Sequence, residues 1–460
     1  MLRTLNTSTD LLTLHKKFPQ RYPFLLESVA QGSGQSAYDI LFALPQDWLA
    51  LHASGELRSS DPGIHYGSFL EKFEQWFSAR QRPHVNEGID LPFTGGWFLY
   101  LGYELVSEIE PDIRLPHADA EQLVAYAADC PAAIIQDHRN GCVHVFTEDS
   151  HAGQMDLLLQ DLGMCMQENG TPDRVSEDAR QKTVLTVAEE DPERYIAAVK
   201  RIRQYIIDGD VFQVNLSRSW QAHTDETIDA ADLYRRLRTH NPAPFAGIAQ
   251  LPGFSIISSS PERLVEVRNG VIQTRPIAGT RPRSGNLQQD RALAEELMAH
   301  PKEQAEHIML IDLERNDLGR VCIPGTVSVD ELMTLETYAH VHHIVSNVRG
   351  YLRPEASPVD VIRAVFPGGT ITGCPKVRCM EIIGELEAQA RGAYTGSMGY
   401  INRDGSMDFN ILIRTMTVDT KTIHLRTGAG IVYDSIPDKE LEETRAKARG
   451  LLLAIDGALE

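Results

Sequence analysis

Hydrophobic residues fall into two periods along this 460-residue chain. Runs in which apolar and polar positions alternate, or in which aromatic and β-branched residues cluster, read as strands. Runs with apolar positions three and four apart read as helices. In the N-terminal part, Tyr38 to Pro45 and Gly141 to Glu148 predict strands, and Phe69 to Ser78 predicts a helix. Leu91 to Val106 is aromatic-rich strand material holding the pair Gly95 and Gly96. Glycines inside such a run mark close backbone approach or a bulge.

The C-terminal part is richer in pattern. Strand-like runs cover 211–222, 244–251, 254–270, 271–280, 335–352, 394–402, 409–419 and 423–433. Helical patterns cover 195–208, 287–316, 357–366, 374–390 and 439–453. Strands come in groups and helices in groups, without strict βαβ units, which predicts an α+β fold rather than a doubly wound parallel sheet. One polar, charged stretch, Gln167 to Glu193, reads as a linker. It divides the chain near residue 180 into an N-terminal region, 1–180, and a C-terminal region, 181–460.

Composition then narrows the class. An apolar fraction of 42% supplies a large core and argues against global disorder. The formal net charge is −20, which disfavours nucleic acid and anionic membrane surfaces as partners, since both need a cationic footprint. An anionic substrate would need a local positive site. The six cysteines form no CxxC pair or zinc spacing and are too sparse for a disulfide scaffold, so reduced thiols in a cytoplasmic protein are expected. No apolar run reaches the ~18 residues of a membrane span, and no secretory leader is evident.

Four patterns could carry chemistry. Glu440, Glu443 and Lys447 share one face of the last helix, and Glu303 and Glu306 share a face of another. Either set alone reads as a solvated salt-bridge face. Together, two carboxylate pairs on separate helices could converge on a hard divalent cation such as magnesium. FPGGTITGCPK, residues 366–376, fails the phosphate-loop pattern but leads a glycine-rich turn into a helix start, where free N–H groups attract anions. Arg414 is predicted inside an apolar strand, where it pairs with a buried carboxylate or recognises an anionic ligand. The neighbouring Gly428, Ala429 and Gly430 leave backbone bare for a ligand carboxylate. In HVHHIVS, alternation puts His340 and His342 on one face and His343 on the other, and spacing does not choose among them.

At these motifs the sequence resembles the chorismate-utilising enzymes, a family that includes anthranilate synthase component I, aminodeoxychorismate synthase component I, and the isochorismate and salicylate synthases. SPERL, TRPIAGTRPR, KEQAEHIMLIDLERNDLGR, HVHHIVS, FPGGTITGCPKVRCMEII, GSMGY, ILIRT, TGAGIV and ELEETRAKA carry the resemblance, which extends over essentially the whole chain. It implies one large α+β unit of antiparallel sheets with helices packed outside, the N-terminal half belonging to the same fold. It implies Glu306 and Glu443 as direct magnesium ligands, with Glu303 and Glu440 close by or acting through water. The metal would hold the ring carboxylate of chorismate. Arg414 and Tyr400 would bind the enolpyruvyl carboxylate, helped by the Gly428–Gly430 backbone, and Lys447 would add positive charge. His343 matches the family's acid/base histidine, and Glu262 matches a carboxylate near the leaving hydroxyl. Thr372 and Gly373 would line the pocket. Ser28, in FLLES, resembles the family's tryptophan pocket.

The resemblance also bears on the nucleophile. Water-adding members carry a lysine base where this chain has Gln213. An amide cannot deprotonate water, whereas ammonia needs no base. An ammonia-using enzyme is therefore expected, with a glutamine amidotransferase subunit as the ammonia source. DLERNDLGRVC, FPGGTITGCPK and NPAPF resemble the aminodeoxychorismate branch, serving 4-aminobenzoate and folate. Ala278, in PIAGT, departs from the lysine nucleophile often found there and matches the anthranilate branch, which remains the alternative.

Overall fold

The computed structural model describes residues 1–29, 37–64, 66–83, 91–168, 186–337 and 341–456. Their strands assemble into two antiparallel sheets, of 12 and 11 strands. The α+β expectation holds, and the helices lie outside. Leu11–Lys17, Met155–Glu168, Ala230–His240 and Pro437–Asp456 share one core with the outer face of the larger sheet. Phe69–Arg80, Pro301–Gly319 and Pro358–Val365 do the same for the smaller sheet. A third core, with Phe24, Phe42, Phe98 and Tyr126, fills the space between the sheets.

This layering explains strands that are buried along their whole length. In Gly96–Leu101, Trp97, Leu99 and Leu101 enter the outer core, while Phe98 and Tyr100 enter the inner one. A sheet covered on both faces has no solvent side, so its strands read as continuous apolar runs. Gly96 confirms the close approach expected of the glycine pair. Its φ is +149°, and a Cβ there would sit 2.1 Å from the Ile401 carbonyl oxygen.

In each sheet the strands from before residue 180 form one block and those from after it another, joined at a single seam. Phe24–Glu27 pairs with Phe245–Leu251 in one, and Gly96–Leu101 pairs with Ser397–Asn402 in the other. The expected boundary near 180 lies outside the described residues. Part of the expected linker is strand: Thr186–Glu189 pairs with the end of Gln213–His223 at the edge of the larger sheet. Its side chains are exposed, so ladder hydrogen bonds rather than burial hold it, and no apolar pattern announces it.

Several runs expected as single strands are broken. Residues 254–270 form Phe254–Ser260 in the larger sheet and Arg263–Arg268 in the smaller, with Pro261 and Glu262 at the corner. Proline cannot donate to a ladder, which suits it to this crossing. Residues 409–419 split likewise between Met407–Asn410 and Thr415–Val418. The two crossings run side by side: Ser258 pairs with Thr415 and Arg263 with Asn410. Residues 271–280 break at Arg275–Pro276, and 287–316 is two helices meeting at His300–Pro301. Ser328–Thr337 and Val341–Tyr351 replace the single strand expected over 335–352.

Candidate active site

The double crossing positions two of the expected side chains. Glu262 sits at one corner. Arg414 sits in the other, not inside a strand as its sequence context suggested, with φ +52°. A non-glycine residue in that region costs on the order of 1–3 kcal/mol and persists only where the surroundings enforce it. Here the Ser259 amide donates to the Arg414 carbonyl at 3.2 Å, and the Ile411 amide donates to the Glu262 carbonyl at 3.0 Å. Both residues are thus tied to the opposite crossing strand.

The Arg414 guanidinium makes no hydrogen bond or ion pair with any described residue, although it is largely enclosed; burial lowers its pKa, and Glu262 opposes that effect. Burial pushes the Glu262 carboxyl up to about 7, against the nearby charges of Lys447 and Arg414. Its Oε1 is buried with no hydrogen-bond partner among the described residues. His343 is also buried, which lowers its pKa to about 4, helped by the charge of Arg414 and opposed by a hydrogen bond with the Gly279 backbone. It is therefore neutral at pH 7. His342 takes the structural role, with Asp290 at 3.0 Å and Thr337 at 2.9 Å from its two ring nitrogens. His340 lies outside the described residues.

A second wall comes from the antiparallel pair Gln213–His223 and Thr422–Ile431. Gln213 and Asn215 project from one face. A Cβ on Gly430 would meet Gln213 Nε2 at 2.2 Å, and a Cβ on Gly428 would meet Tyr394 Oη at 2.7 Å and Asn215 Oδ1 at 3.0 Å. The bare glycine backbone is required here because polar side chains already fill the space above it. Gln213 Oε1 and Asn215 Oδ1 are both buried without a partner. Lys447 donates to the Gly428 carbonyl at 2.9 Å and pairs with Glu443 at 2.8 Å, as the shared helix face predicted. Thr372 and Gly373 are buried beside this wall: Gly373 pairs with Val214, and the Thr372 carbonyl accepts from the Asn215 amide at 2.8 Å.

Behind it lies a buried brace that the sequence reading missed. Arg391 and Arg426 hold the Glu387 carboxyl below its ordinary value despite full burial. Glu387 accepts from the Ser217 amide and hydroxyl, while Arg391 donates to the carbonyls of Asn215 and Ile371. Charge-assisted bonds of this kind fix the glycine-rich turn and the Gln213 strand relative to each other.

Tyr400 belongs elsewhere. Its ring packs against Phe42 and Phe93, and its charged neighbours are Asp408, Glu266, Arg268 and Arg263 rather than Arg414. It lines a cavity of about 290 Å³ between the sheets together with Ser28, whose hydroxyl donates to the Pro244 carbonyl at 3.2 Å. The phenol at the glycine wall is Tyr394. Both tyrosines sit in RGAYTGSMGY, and alternation alone does not say which one faces which cavity.

The four glutamates lie on Pro301–Gly319 and Pro437–Asp456. No three of their carboxylates lie within 4.8 Å of one another. Glu303 is paired with Arg281 at 3.3 Å, and a Cβ on Gly279 would meet its Oε2 at 2.9 Å. The donor set is all hard oxygen, which suits magnesium, and that ion needs only one or two direct carboxylates when water and substrate oxygens complete its shell. Ala278 lies in Ile277–Pro282, where the register with the His343 strand shifts through a bulge at Gly279.

A buried carboxyl near neutrality, a neutral histidine, an arginine whose guanidinium has no partner among the described residues, and the polar side chains of Gln213, Asn215 and Tyr394 over the glycines together suit an anionic small molecule undergoing acid/base chemistry. Residues 33–453 match the chorismate binding enzyme family, and the chain belongs to that family. It is 41% identical over 394 residues to aminodeoxychorismate synthase component 1 of Bacillus subtilis (strain 168), covering 85% of this chain and 83% of that protein. An anthranilate synthase component I-like protein of Synechocystis sp. (strain ATCC 27184 / PCC 6803 / Kazusa) is 44% identical over 370 residues, covering 80% and 74%. The crystal structure of anthranilate synthase component I from Streptococcus pneumoniae TIGR4 superposes with a TM-score of 0.77 at 31% identity, covering 91% of this chain and 93% of that one. The protein is a chorismate-utilising enzyme. Among the described residues, no helix is long and apolar enough to cross a membrane.

Proposed function

We propose that this enzyme aminates chorismate to 4-amino-4-deoxychorismate as an aminodeoxychorismate synthase component I, with ammonia delivered by a glutamine amidotransferase subunit in the cytoplasm. The observation that carries the choice of ammonia is Gln213. Its amide lies over Gly430, and no lysine occupies that position to activate water. The partnerless acceptors Gln213 Oε1, Asn215 Oδ1 and Glu262 Oε1 suit a ligand that brings donors, as ammonia and the ring hydroxyl do. DLERNDLGRVC, FPGGTITGCPK and NPAPF support the aminodeoxychorismate branch.

In this reading Arg414 takes the enolpyruvyl carboxylate bidentately, with the Tyr394 hydroxyl and the Gly428–Gly430 backbone beside it. Protonated Glu262 gives its proton to the departing C4 hydroxyl, which leaves as water. Glu306 and Glu443 would hold magnesium, with Glu303 and Glu440 close by, and the ion when bound supplies positive charge to the ring carboxylate. Ala278 offers no nucleophile, so ammonia itself attacks C2 as the C4 hydroxyl leaves. A second ammonia then attacks C4 and expels the C2 amine, for a net exchange of hydroxyl for amine.

The test is product analysis. The purified chain is incubated with chorismate, magnesium and a high ammonium concentration, and products are resolved by chromatography and mass, with and without the lyase that releases 4-aminobenzoate. Aminodeoxychorismate without a covalent protein adduct is expected, and isochorismate should be absent. Anthranilate as the dominant product would overturn the assignment in favour of the other branch.

A further inference from the structure

A second cluster of chemistry-bearing side chains lies far from this site. In the hairpin Ala132–Asp137 and Cys142–Thr147, Asp137 stands directly opposite Cys142, and His144 follows two residues along on the same face. Thr4, in the edge strand Leu2–Leu5, stands opposite His144. Five strand spacings separate Cys142–Thr147 from the strand that ends at the Glu262 corner, roughly 24 Å at ~4.8 Å each.

One ligand atom from each of Asp137, Cys142 and His144 lies within 4.8 Å of the other two. His144 Nε2 is 3.4 Å from Cys142 Sγ and 3.8 Å from Asp137 Oδ2. A tetrahedral zinc ion, with sulfur at ~2.3 Å and nitrogen or oxygen at ~2.0–2.2 Å, spaces neighbouring donors by about 3.3–3.6 Å. The side chains thus already stand at nearly the spacing of a metal's ligands. All three are buried, so the arrangement is not a chance gathering of mobile surface groups.

The surrounding groups orient the donors. Thr4 Oγ1 lies 2.9 Å from His144 Nδ1. When it accepts the Nδ1 proton, the Nε2 lone pair faces the thiol and the carboxylate. Asn140 Nδ2 donates to Asp137 Oδ2 at 2.7 Å, and the amides of Arg139 and Asn140 donate to Oδ1 at 2.8 and 3.0 Å. Such outer hydrogen bonds are what hold metal ligands in place. The mixed sulfur, nitrogen and oxygen set selects a borderline-soft ion and not magnesium.

We infer that Asp137, Cys142 and His144 form a structural site for a divalent cation of the zinc class, with one coordination position left for water. Through Thr4 the site joins the hairpin to the first strand of the sheet. It lies apart from the chorismate site and leaves turnover untouched.

The experiment uses the full-length, reduced, chelator-treated protein titrated with Co2+. One equivalent should produce a near-ultraviolet thiolate-to-cobalt charge-transfer band and intense four-coordinate visible bands, both abolished by competing Zn2+. The band should vanish in Cys142→Ser and His144→Ala, and persist in the Glu306→Gln/Glu443→Gln double variant. Zn2+ at one equivalent should also raise the unfolding temperature of the wild type and not that of Asp137→Asn, which keeps its shape and most hydrogen bonds. Absence of the band, or a band unchanged in Cys142→Ser, overturns the site. So does an equal zinc shift in Asp137→Asn, which covers the case in which the cysteine or histidine variants fail to fold.

Discussion

Burial holds the Glu262 carboxyl at about 7 while Lys447 and Arg414 pull it the other way. The acid form is the one that can protonate a leaving hydroxyl, and it is lost as pH rises through that value. The kcat/KM of the wild type should therefore fall about tenfold per unit above pH ~7, since this ratio reports the free enzyme's groups. Glu262→Gln keeps the volume and removes the proton, so turnover should drop by roughly 10²–10⁴-fold and the alkaline limb should disappear. A pH–rate profile of both proteins checks this; an unchanged limb in the variant would assign it to another group. Spacing left His343 as one of three histidines, and only the resemblance singled it out. Its burial and its neutral state come from the strands packed around it, which the spacing HVHH does not contain.

Two helices, Pro301–Gly319 and Pro437–Asp456, carry the carboxylates assigned to magnesium. Their periodicity put Glu303 with Glu306, and Glu440 with Glu443 and Lys447, on common faces, and the Lys447–Glu443 pair agrees. Whether the two faces meet is a matter of packing. Glu443 is exposed, so Glu443→Gln should leave thermal unfolding within about ±0.5 kcal/mol of the wild type. Turnover should nonetheless be abolished, and equally so for Glu306→Gln, because a neutral amide is a poor magnesium ligand. Rates titrated against magnesium, with circular dichroism of each variant, test the assignment. Near-normal turnover in excess chelator would remove the metal from it. The broken strands show a limit of reading elements singly: a run such as FNILIRTMTVD keeps one apolar texture while its backbone passes from one sheet to the other.

Across the whole molecule, the two parts of the chain meet in one strand pairing in each sheet. Residues 186–456 alone would leave Phe245–Leu251 and Ser397–Asn402 each missing one neighbour and would expose their own share of the inner core, including Ala249, Ile256, Met398 and Leu412. Unpaired edges and bare apolar faces of this size drive aggregation. That fragment should be insoluble or lack a cooperative thermal transition, measured by light scattering and circular dichroism, and a soluble, cooperatively folding fragment would refute the shared-sheet account. The sequence by itself determined the α+β class, most helices and strands, and the motifs that resemble chorismate-utilising enzymes, because periodicity and local residue chemistry are written along the chain. Tertiary structure decided the corners at Glu262 and Arg414, the placing of Tyr394 rather than Tyr400 at the glycine wall, and the Glu387–Arg391–Arg426 brace. Those features depend on which strands cross, which faces are enclosed, and which charges are desolvated together. Such quantities arise where residues distant in the sequence meet, as Glu262 meets Arg414 and Ser217 meets Glu387, and no local pattern carries them.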